Sequence, residues 1–356
     1  MPPPVPASNR TTPPRSIAAV ARDAGWLPHR YDPGHDAVHF IPLTRDQHRA
    51  ATFLIDDELP QGLEPLVVRR ADAIVAAPAP APLHFVFHSA YCCSTLVARA
   101  FDLPGRAMGL KEPVILNDLV GWRRRGDPGP DMASVLNDAL TLLSRPFAPG
   151  ETTVVKPSNV VNGLAPAMLT LRPQAHALLL YAPLRTYLGS IAKKGIDGRL
   201  WVRTLLTGLL DDRLIDLGFT PRDFLGQTDL QVAAAGWLAQ QHLFARLVGQ
   251  FGAGRVRTLD SATLLADPRT AMAAIAGHFG CPLDDGELDD VLAGPAFTRH
   301  SKTDAAFATP DREVEHRDAA ATHRDEIDKV MVWANAVADA AGIPLDAPAP
   351  LLGEAG

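Results

Sequence analysis

A short loop between two apolar segments carries the residue types best suited to hold an anion. The stretch FVFHSAYCCSTLVARAF, residues 85–101, predicts a strand, a tight turn and the start of a helix. Such a turn offers backbone N–H groups, and Ser94 and Thr95 add two hydroxyl donors. We therefore predict an anion site on this loop, formed by Ser89, Ala90, Tyr91, Cys92, Cys93, Ser94 and Thr95.

The loop has the length of the nucleotide-binding pattern G-x4-G-K-[ST] but lacks its lysine. His88 and Cys93 stand at the two glycine positions, Ser94 stands at the lysine position, and Thr95 matches. An ATP-using enzyme needs a cation on the transferred phosphoryl group and Mg²⁺ held by carboxylates. Asp260 is the only carboxylate at the end of a predicted strand that could serve as the second metal motif. A small-molecule kinase is therefore an alternative hypothesis, and no metal site is predicted.

Two charged residues follow apolar segments in the same way as the loop does. Glu112 comes at the end of AMGLKEP, and Lys156 comes at the end of TTVVKPS. If both segments are strands of a parallel sheet, the two side chains lie at its carboxyl edge, where open α/β folds bind ligands. Glu112 has a second interpretation, because a carboxylate before a helix also caps its N-terminus.

Strand and helix patterns alternate along most of the chain and predict the scaffold that positions these residues. Five short apolar runs end at turns: LHFVFHS, AMGLKEP, TTVVKPS, AHALLLYAP and RVRTLDS. Amphipathic helical patterns lie between them. Unbroken apolar runs are typical of buried parallel strands, so we predict an α/β fold with a parallel β-sheet covered by helices on both faces.

Composition shifts divide the chain into segments. Residues 1–15 are rich in proline and predict a disordered tail, and residues 16–75 predict a small N-terminal α/β unit. In that unit we expect helices over 16–25 and 45–59 and a strand over 37–43. The Ala/Pro segment 76–83 predicts a linker. The main domain then spans 84–345, and residues 346–356 form a C-terminal tail.

The loop and the segments after it resemble the sulfotransferase family, especially its bacterial members. Ser89–Leu96 is similar to the family pattern S-G-R-S-G-S-T-L. Downstream, GLKEP, VVKPSNVVNGLAPAML, ALLLYAPLRTYLGSIAKKG and residues 237–282 follow in the family's order, so that the resemblance covers roughly residues 83–305. It implies a P-loop (sulfotransferase-like) fold. It also implies the co-substrate 3′-phosphoadenosine-5′-phosphosulfate and a small-molecule hydroxyl or amine as acceptor substrate.

The resemblance also implies roles for individual residues. The loop 89–95 would hold the 5′-phosphosulfate, Lys156 would stabilise the leaving group, and Glu112 would be the catalytic base. Four residues would contact the 3′-phosphate or its surroundings: Arg185, Ser190, Arg299 and Lys302.

Departures from the family pattern keep a non-catalytic function open. Tyr91 replaces a basic residue of the loop, and Tyr181 stands about where the arginine for the 3′-phosphate is expected. The chain is therefore alternatively a P-loop relative that acts as a binding or assembly protein.

Bulk properties limit the partners. The net charge of −6 gives no overall attraction to nucleic acid or to an anionic membrane, and no apolar run approaches the roughly 20 residues needed to span a bilayer. Three cysteines cannot form a disulfide framework, which favours a cytoplasmic protein. The sequence does not indicate an oligomeric state.

Overall fold

The computed structural model describes residues 16–126, 131–298 and 323–353. The predicted N-terminal tail and the predicted site residues Arg299 and Lys302 lie outside the described residues. None of the helices in the described ranges is long and apolar enough to cross a bilayer.

The N-terminal unit is built on a small antiparallel sheet. Its strands pair in the order β1-β2-β3. Its elements are α1 (Ile17–Arg22), β1 (Trp26–Asp32), β2 (Ala37–Pro42), α2 (Arg45–Ala50), a 3-10 turn (Asp56–Glu58), β3 (Leu66–Arg69) and α3 (Arg70–Ala76). The predicted first helix and strand are confirmed, whereas β1, β3 and α3 were not predicted.

The main sheet consists of five parallel strands, at the places where the sequence predicts them. They are β4 (Leu83–His88), β5 (Ala107–Lys111), β6 (Thr152–Lys156), β7 (Ala177–Tyr181) and β8 (Val256–Asp260). Every residue of β4 to β7 is buried. This burial explains why these strands appear in the sequence as unbroken apolar runs rather than as alternating patterns.

Helices occupy the connections between these strands. They are α4 (Ser94–Ala100), α5 (Ile115–Arg125), α6 (Asp131–Leu143), a 3-10 helix (Asn159–Leu164), α7 (Ala165–Leu171), α8 (Leu184–Lys193), α9 (Gly195–Asp211), α10 (Pro221–Gly226) and α11 (Asp229–Phe251). After β8 follow α12 (Ser261–Ala266), α13 (Pro268–His278), α14 (Asp285–Ala293), α15 (Pro295–Thr298) and α16 (Arg324–Ala341).

The order of the strands reverses direction beside β4. The sheet order is β5-β6-β4-β7-β8, so the chain runs from β4 to the edge strand β5 and then returns through β6, β7 and β8. Because parallel crossovers are right-handed, this reversal puts α4 on one face of the sheet and the later connections on the other. The loops after β4 and its neighbours therefore diverge at the carboxyl edge, where α/β folds bind ligands.

The helix predicted over residues 45–59 is wrong beyond its first half. It ends at Ala50, and Ala51 has extended backbone angles (φ −60°, ψ 134°). The Leu54 N–H then donates to the Lys111 carbonyl at 2.7 Å, and the Leu54 carbonyl accepts from the Val114 N–H at 3.2 Å. These bonds to the end of β5 replace the bonds that a longer helix would have made.

A buried arginine joins the N-terminal unit to the main domain. Arg145 follows α6 and is 3% exposed. Its guanidinium donates to the carbonyls of Val20, Ala21, Asp23 and Trp26 at 2.7–3.1 Å. Burial lowers the pKa of Arg145 to about 10. The apolar side chains of the unit and of the main sheet belong to one continuous core.

Candidate active site

The loop after β4 has a backbone that is unusual for residues other than glycine. Ala90, Tyr91 and Cys93 have positive φ angles of 71°, 53° and 65°. Each such residue costs about 1 kcal/mol, so surrounding contacts must impose the conformation. Left-handed residues occur in the turns that form anion-binding nests of N–H groups. Ser94 and Thr95 follow in the first turn of α4 and are buried.

Strand β7 holds the start of this loop. The Ser89 N–H donates to the Leu180 carbonyl at 3.1 Å, and the Cys92 thiol lies 3.3 Å from the same oxygen. The Ser89 hydroxyl accepts from the Ala182 N–H at 3.3 Å. Burial, with a smaller effect of Cys93, raises the pKa of Cys92 to about 12, so this thiol is protonated and structural.

Buried amides fix the loop from the other side. Asn162, in the 3-10 helix, donates to the His88 carbonyl at 3.0 Å and to the Gln240 side chain at 3.2 Å. Gln240 comes from α11, and its amide lies 3.5 Å from the Ser89 carbonyl. All these side chains are buried. The loop is thus held by three elements that follow it in sequence by 70 residues or more.

Glu112 and Lys156, which lie at the ends of two neighbouring strands, meet directly. Their side chains form an ion pair between the Lys156 Nζ and the Glu112 Oε1. Lys156 is 1% exposed, whereas the Glu112 side chain is 18% exposed. Glu112 has a positive φ of 53°, and its N–H donates to the Lys156 carbonyl at 2.7 Å. A strained residue at a strand end, locked onto a buried cation, is a typical feature of functional sites.

His88 belongs to the same cluster, although sequence reasoning assigned it no function. It ends β4, is 4% exposed, and its Nε2 lies 3.1 Å from the Pro157 carbonyl and 3.9 Å from the Glu112 Oε1. Its Nδ1 accepts from the Ala90 N–H at 3.0 Å, which makes Nε2 the protonated nitrogen. The signal in the sequence was a histidine at the position of the first loop glycine.

Tyr91 packs against aromatic rings. Its ring centroid lies 6.0 Å from that of Tyr187 and 5.6 Å from that of Trp201, both in edge-to-face geometry. Burial raises the pKa of Tyr91, so its hydroxyl stays neutral. Where the family pattern has a basic side chain, Tyr91 therefore adds an uncharged aromatic ring that packs with Tyr187 and Trp201.

The other predicted ligands of the co-substrate have partners elsewhere. Arg185, in the first turn of α8, pairs with Asp328 of α16 at 2.6 Å, and both side chains are about half exposed. The Ser190 hydroxyl donates to the Thr186 carbonyl of its own helix at 3.0 Å. The structure thus brings together the loop, Glu112 and Lys156, while Arg185 and Ser190 are bonded within the helical layer.

Asp260 caps a helix. Its Oδ1 accepts from the N–H groups of Ala262 and Thr263 at 2.9 Å, and its Oδ2 accepts from the Thr263 hydroxyl. Among the described residues, no group of three or more histidine, cysteine, aspartate or glutamate side chains is arranged to hold a metal ion.

Comparison with solved structures finds sulfotransferases, the family that the loop and its flanking motifs resemble. A sulfotransferase from Mycobacterium avium is 15% identical, with a TM-score of 0.41 over 70% of this chain and 78% of that one. The sulfotransferase domain of the Synechococcus olefin synthase is 14% identical, with a TM-score of 0.41 over 69% of this chain and 95% of that one. The sulfotransferase domain from the curacin biosynthetic pathway is 12% identical, with a TM-score of 0.40 over 69% of this chain and 98% of that one.

These similarities are distant. No protein-family model matches the chain, and no curated protein sequence does. Identities of 12–15% at TM-scores of 0.40 and 0.41 assign neither a reaction nor a ligand.

Proposed function

We propose that this chain is an enzyme that transfers a sulfuryl group from 3′-phosphoadenosine-5′-phosphosulfate to a small-molecule hydroxyl or amine. The observation that carries the proposal is the buried ion pair between Lys156 and Glu112 at the carboxyl edge of the sheet. It lies beside the positive-φ loop, since the Glu112 carboxylate is 3.9 Å from His88, the residue that leads into that loop. A cation that stabilises the leaving oxygen, a proton acceptor and a loop that holds the donor's anion suit sulfuryl transfer.

The residues present fit a phosphosulfate better than they fit ATP with Mg²⁺. The loop offers N–H and hydroxyl donors, which suit an anion without a loop lysine. Lys156, the cation paired with Glu112, comes from β6 and not from the loop. Asp260, the candidate metal ligand of the kinase hypothesis, uses both carboxylate oxygens to cap α12. These contacts favour sulfuryl transfer over the kinase alternative.

The bound donor would supply an activated sulfuryl group, and the protein would supply charge and a proton acceptor. Lys156 would stabilise the negative charge that develops on the departing phosphate oxygen. Glu112 would accept the proton of the attacking hydroxyl or amine. Their mutual pairing holds both groups in position before the substrates bind. When Lys156 turns toward the phosphate oxygen, the Glu112 carboxylate becomes available as a base.

Ligand binding separates this reaction from its alternatives. Adenosine 3′,5′-bisphosphate should raise the thermal unfolding midpoint, and ATP with Mg²⁺ should not, because only a ligand of the native state stabilises it. Turnover is then followed as the release of adenosine 3′,5′-bisphosphate from the donor in the presence of a panel of alcohols, phenols and amines. We expect Lys156→Met to lower kcat by about a hundredfold or more, the usual loss when one group that stabilises transition-state charge is removed.

Stabilisation by ATP with Mg²⁺ alone would support the kinase hypothesis instead. If the bisphosphate binds but Lys156→Met retains full turnover, the assignment of Lys156 is wrong.

Three contacts favour a second candidate, a relative that binds partners without catalysis. Arg185 is paired with Asp328, Ser190 is bonded to Thr186, and Tyr91 packs in an aromatic cluster. The family resemblance implies that residues at these positions contact the co-substrate, but here they contact other parts of the protein. A protein that none of the tested nucleotides stabilises would favour this candidate.

A further inference from the structure

One segment of the N-terminal unit lies beside the carboxyl ends of β5 and β6. Residues 48–54, here called the covering segment, run from the end of α2 past the end of β5. Lys111, which ends β5, is fully buried and donates from its Nζ to the carbonyls of His48 at 2.5 Å and Arg49 at 3.3 Å. These are carbonyls of the last turn of α2, where a cation is favourable.

The far end of the covering segment is fixed as well. Leu54 is fully buried and pairs through its backbone with Lys111 and Val114 at 2.7 and 3.2 Å. Thr52 is 9% exposed. Phe53 lies between the buried Thr52 and Leu54, and the bonds of Leu54 to Lys111 and Val114 place it near the end of β5.

Phe53 places its ring against the cation of the proposed active site. The Lys156 Nζ lies 5.0 Å from the centroid of the Phe53 ring, within the distance for a cation–π interaction. Lys156 is 1% exposed, so the attraction acts in a desolvated environment, where it is strongest. The ammonium group therefore has two partners of different kinds, the Glu112 carboxylate and the face of an aromatic ring.

We propose that Phe53 is a positioning residue for Lys156, and that the N-terminal unit is in this way part of the active site. A carboxylate neutralises an ammonium group, whereas an aromatic face attracts the ammonium and leaves its full charge available. When Glu112 acts as a base and Lys156 must stabilise a developing anion, the ring keeps the ammonium at the strand end. The catalytic consequence rests on the proposed function, and the contact itself does not.

Chemical labelling tests the contact without any activity. Trypsin cleaves poorly before proline, so the Arg145–Pro146, Lys156–Pro157 and Arg172–Pro173 bonds resist it. Residues 126–185 are therefore released as one peptide in which Lys156 is the only lysine. Acetylation of native protein by acetic anhydride is therefore read at one site by mass spectrometry, with the exposed Lys194 as the internal reference. We expect Phe53→Leu to raise the labelling rate of Lys156 relative to Lys194 by about fivefold, as loss of a buried cation–π contact implies. Phe53→Tyr, which keeps the aromatic face, should label like the wild type.

Kinetics test the catalytic consequence. In the donor-turnover assay, Phe53→Leu should lower kcat by about fivefold at an unchanged KM for the donor, and Phe53→Tyr should restore kcat. Should Phe53→Leu fail to fold, Phe53→Met provides a second non-aromatic side chain of similar length. Equal labelling of Lys156 in wild type, Phe53→Leu and Phe53→Met would overturn the inference.

The two proposals fail in different ways. If the protein turns over no donor but Phe53→Leu still raises the labelling of Lys156, the Phe53 contact is supported and the proposed function is wrong. If the wild type and Phe53→Leu turn over donor with the same kcat, the proposed function is supported and the positioning role of Phe53 is wrong.

Discussion

Glu112 and Lys156 are joined twice, once through the backbone and once through their side chains. The Glu112 N–H donates to the Lys156 carbonyl at 2.7 Å, and the Lys156 ammonium pairs with the Glu112 carboxylate. On the neighbouring strand β5, the residue directly opposite Lys156 is Lys111, which immediately precedes Glu112. The positive φ at Glu112 allows its side chain to turn back toward Lys156 just beyond the last rung of the ladder.

The first prediction concerns the stability of this pair. Glu112→Gln should lower the free energy of unfolding by about 3 kcal/mol, because it leaves the Lys156 ammonium buried without its counter-ion. Lys156→Met should cost less, since the Glu112 side chain that remains is partly exposed. Urea denaturation of both single variants and the double variant measures the coupling.

The double variant should be more stable than the sum of the single losses predicts. Lys329→Met is the matched control, because it breaks an exposed pair with Asp325 and should leave stability unchanged within error. Additive losses for Glu112→Gln and Lys156→Met would contradict the pairing.

A second prediction follows from three histidines at the opposite end of the sheet. The rings of His84 and His176 stack at 5.4 Å, and those of His176 and His278 lie 5.0 Å apart. Burial, together with the neighbouring histidines, lowers the pKa of His84 and of His278 to about 4. Burial and Arg255 lower the pKa of His176, and Arg257 also acts on His278.

Stability should therefore be full above about pH 6.5 and should fall as the pH drops toward 4. In that window the unfolded histidines bind protons and the native ones do not, which favours the unfolded state. His84 alone should contribute a slope of up to about 1.4 kcal/mol per pH unit. His48, whose pKa burial lowers to about 3, adds to the same loss.

The pH dependence of the thermal midpoint measures this effect. His84→Gln should reduce the slope between pH 6.5 and 4, whereas His39→Gln, in the N-terminal sheet, is the control and should leave it unchanged. Equal slopes in wild type and His84→Gln would contradict the assignment.

The third prediction concerns the close packing of α4 on β5. A Cβ added to Gly109 would lie 2.1 Å from the Ala98 carbonyl oxygen, which is far inside van der Waals contact. Gly109→Ala should therefore lower the free energy of unfolding by about 3 kcal/mol, because α4 or β5 must shift. Chemical denaturation gives the value.

Gly189→Ala is the control for Gly109→Ala. Gly189 lies inside α8, and among the described residues no atom outside its own stretch of helix lies within 4 Å of the added Cβ. This variant should be as stable as the wild type or up to about 1 kcal/mol more stable, because alanine favours a helix over glycine. If Gly109→Ala is as stable as the wild type, α4 and β5 are further apart than this close contact between Gly109 and Ala98 implies.

The fourth prediction concerns the attachment of the N-terminal unit. Arg145→Met would remove the donor from four carbonyl oxygens, two of them in buried and two in partly buried hydrogen bonds, which should lower the free energy of unfolding by about 3 kcal/mol. Hydrogen exchange should rise first over residues 17–32, where these carbonyls lie. Arg22→Met, which removes a single exposed bond to the Ala76 carbonyl, is the control. Protection that falls uniformly over the whole chain would contradict a local role for Arg145.

The sequence by itself determined the five strands of the main sheet, the turn after β4 and the strand-end positions of Glu112 and Lys156. Each of these follows from a local pattern, an apolar run followed by a turn, and buried strands have such patterns because both of their faces are covered. The end of the last helix at Gly342 is local in the same way, since this residue takes the left-handed conformation that glycine allows.

Only the tertiary structure decided which of these residues meet. The pairing of Lys156 with Glu112 spans 44 residues and depends on β5 and β6 being neighbours, which the strand order sets and no local pattern records. The covering segment contains residues that favour a helix, yet bonds to Lys111 and Val114 extend it and bring Phe53 to Lys156. His88 and Arg185 found their partners in the same way, because contacts between distant segments depend on how the whole chain packs.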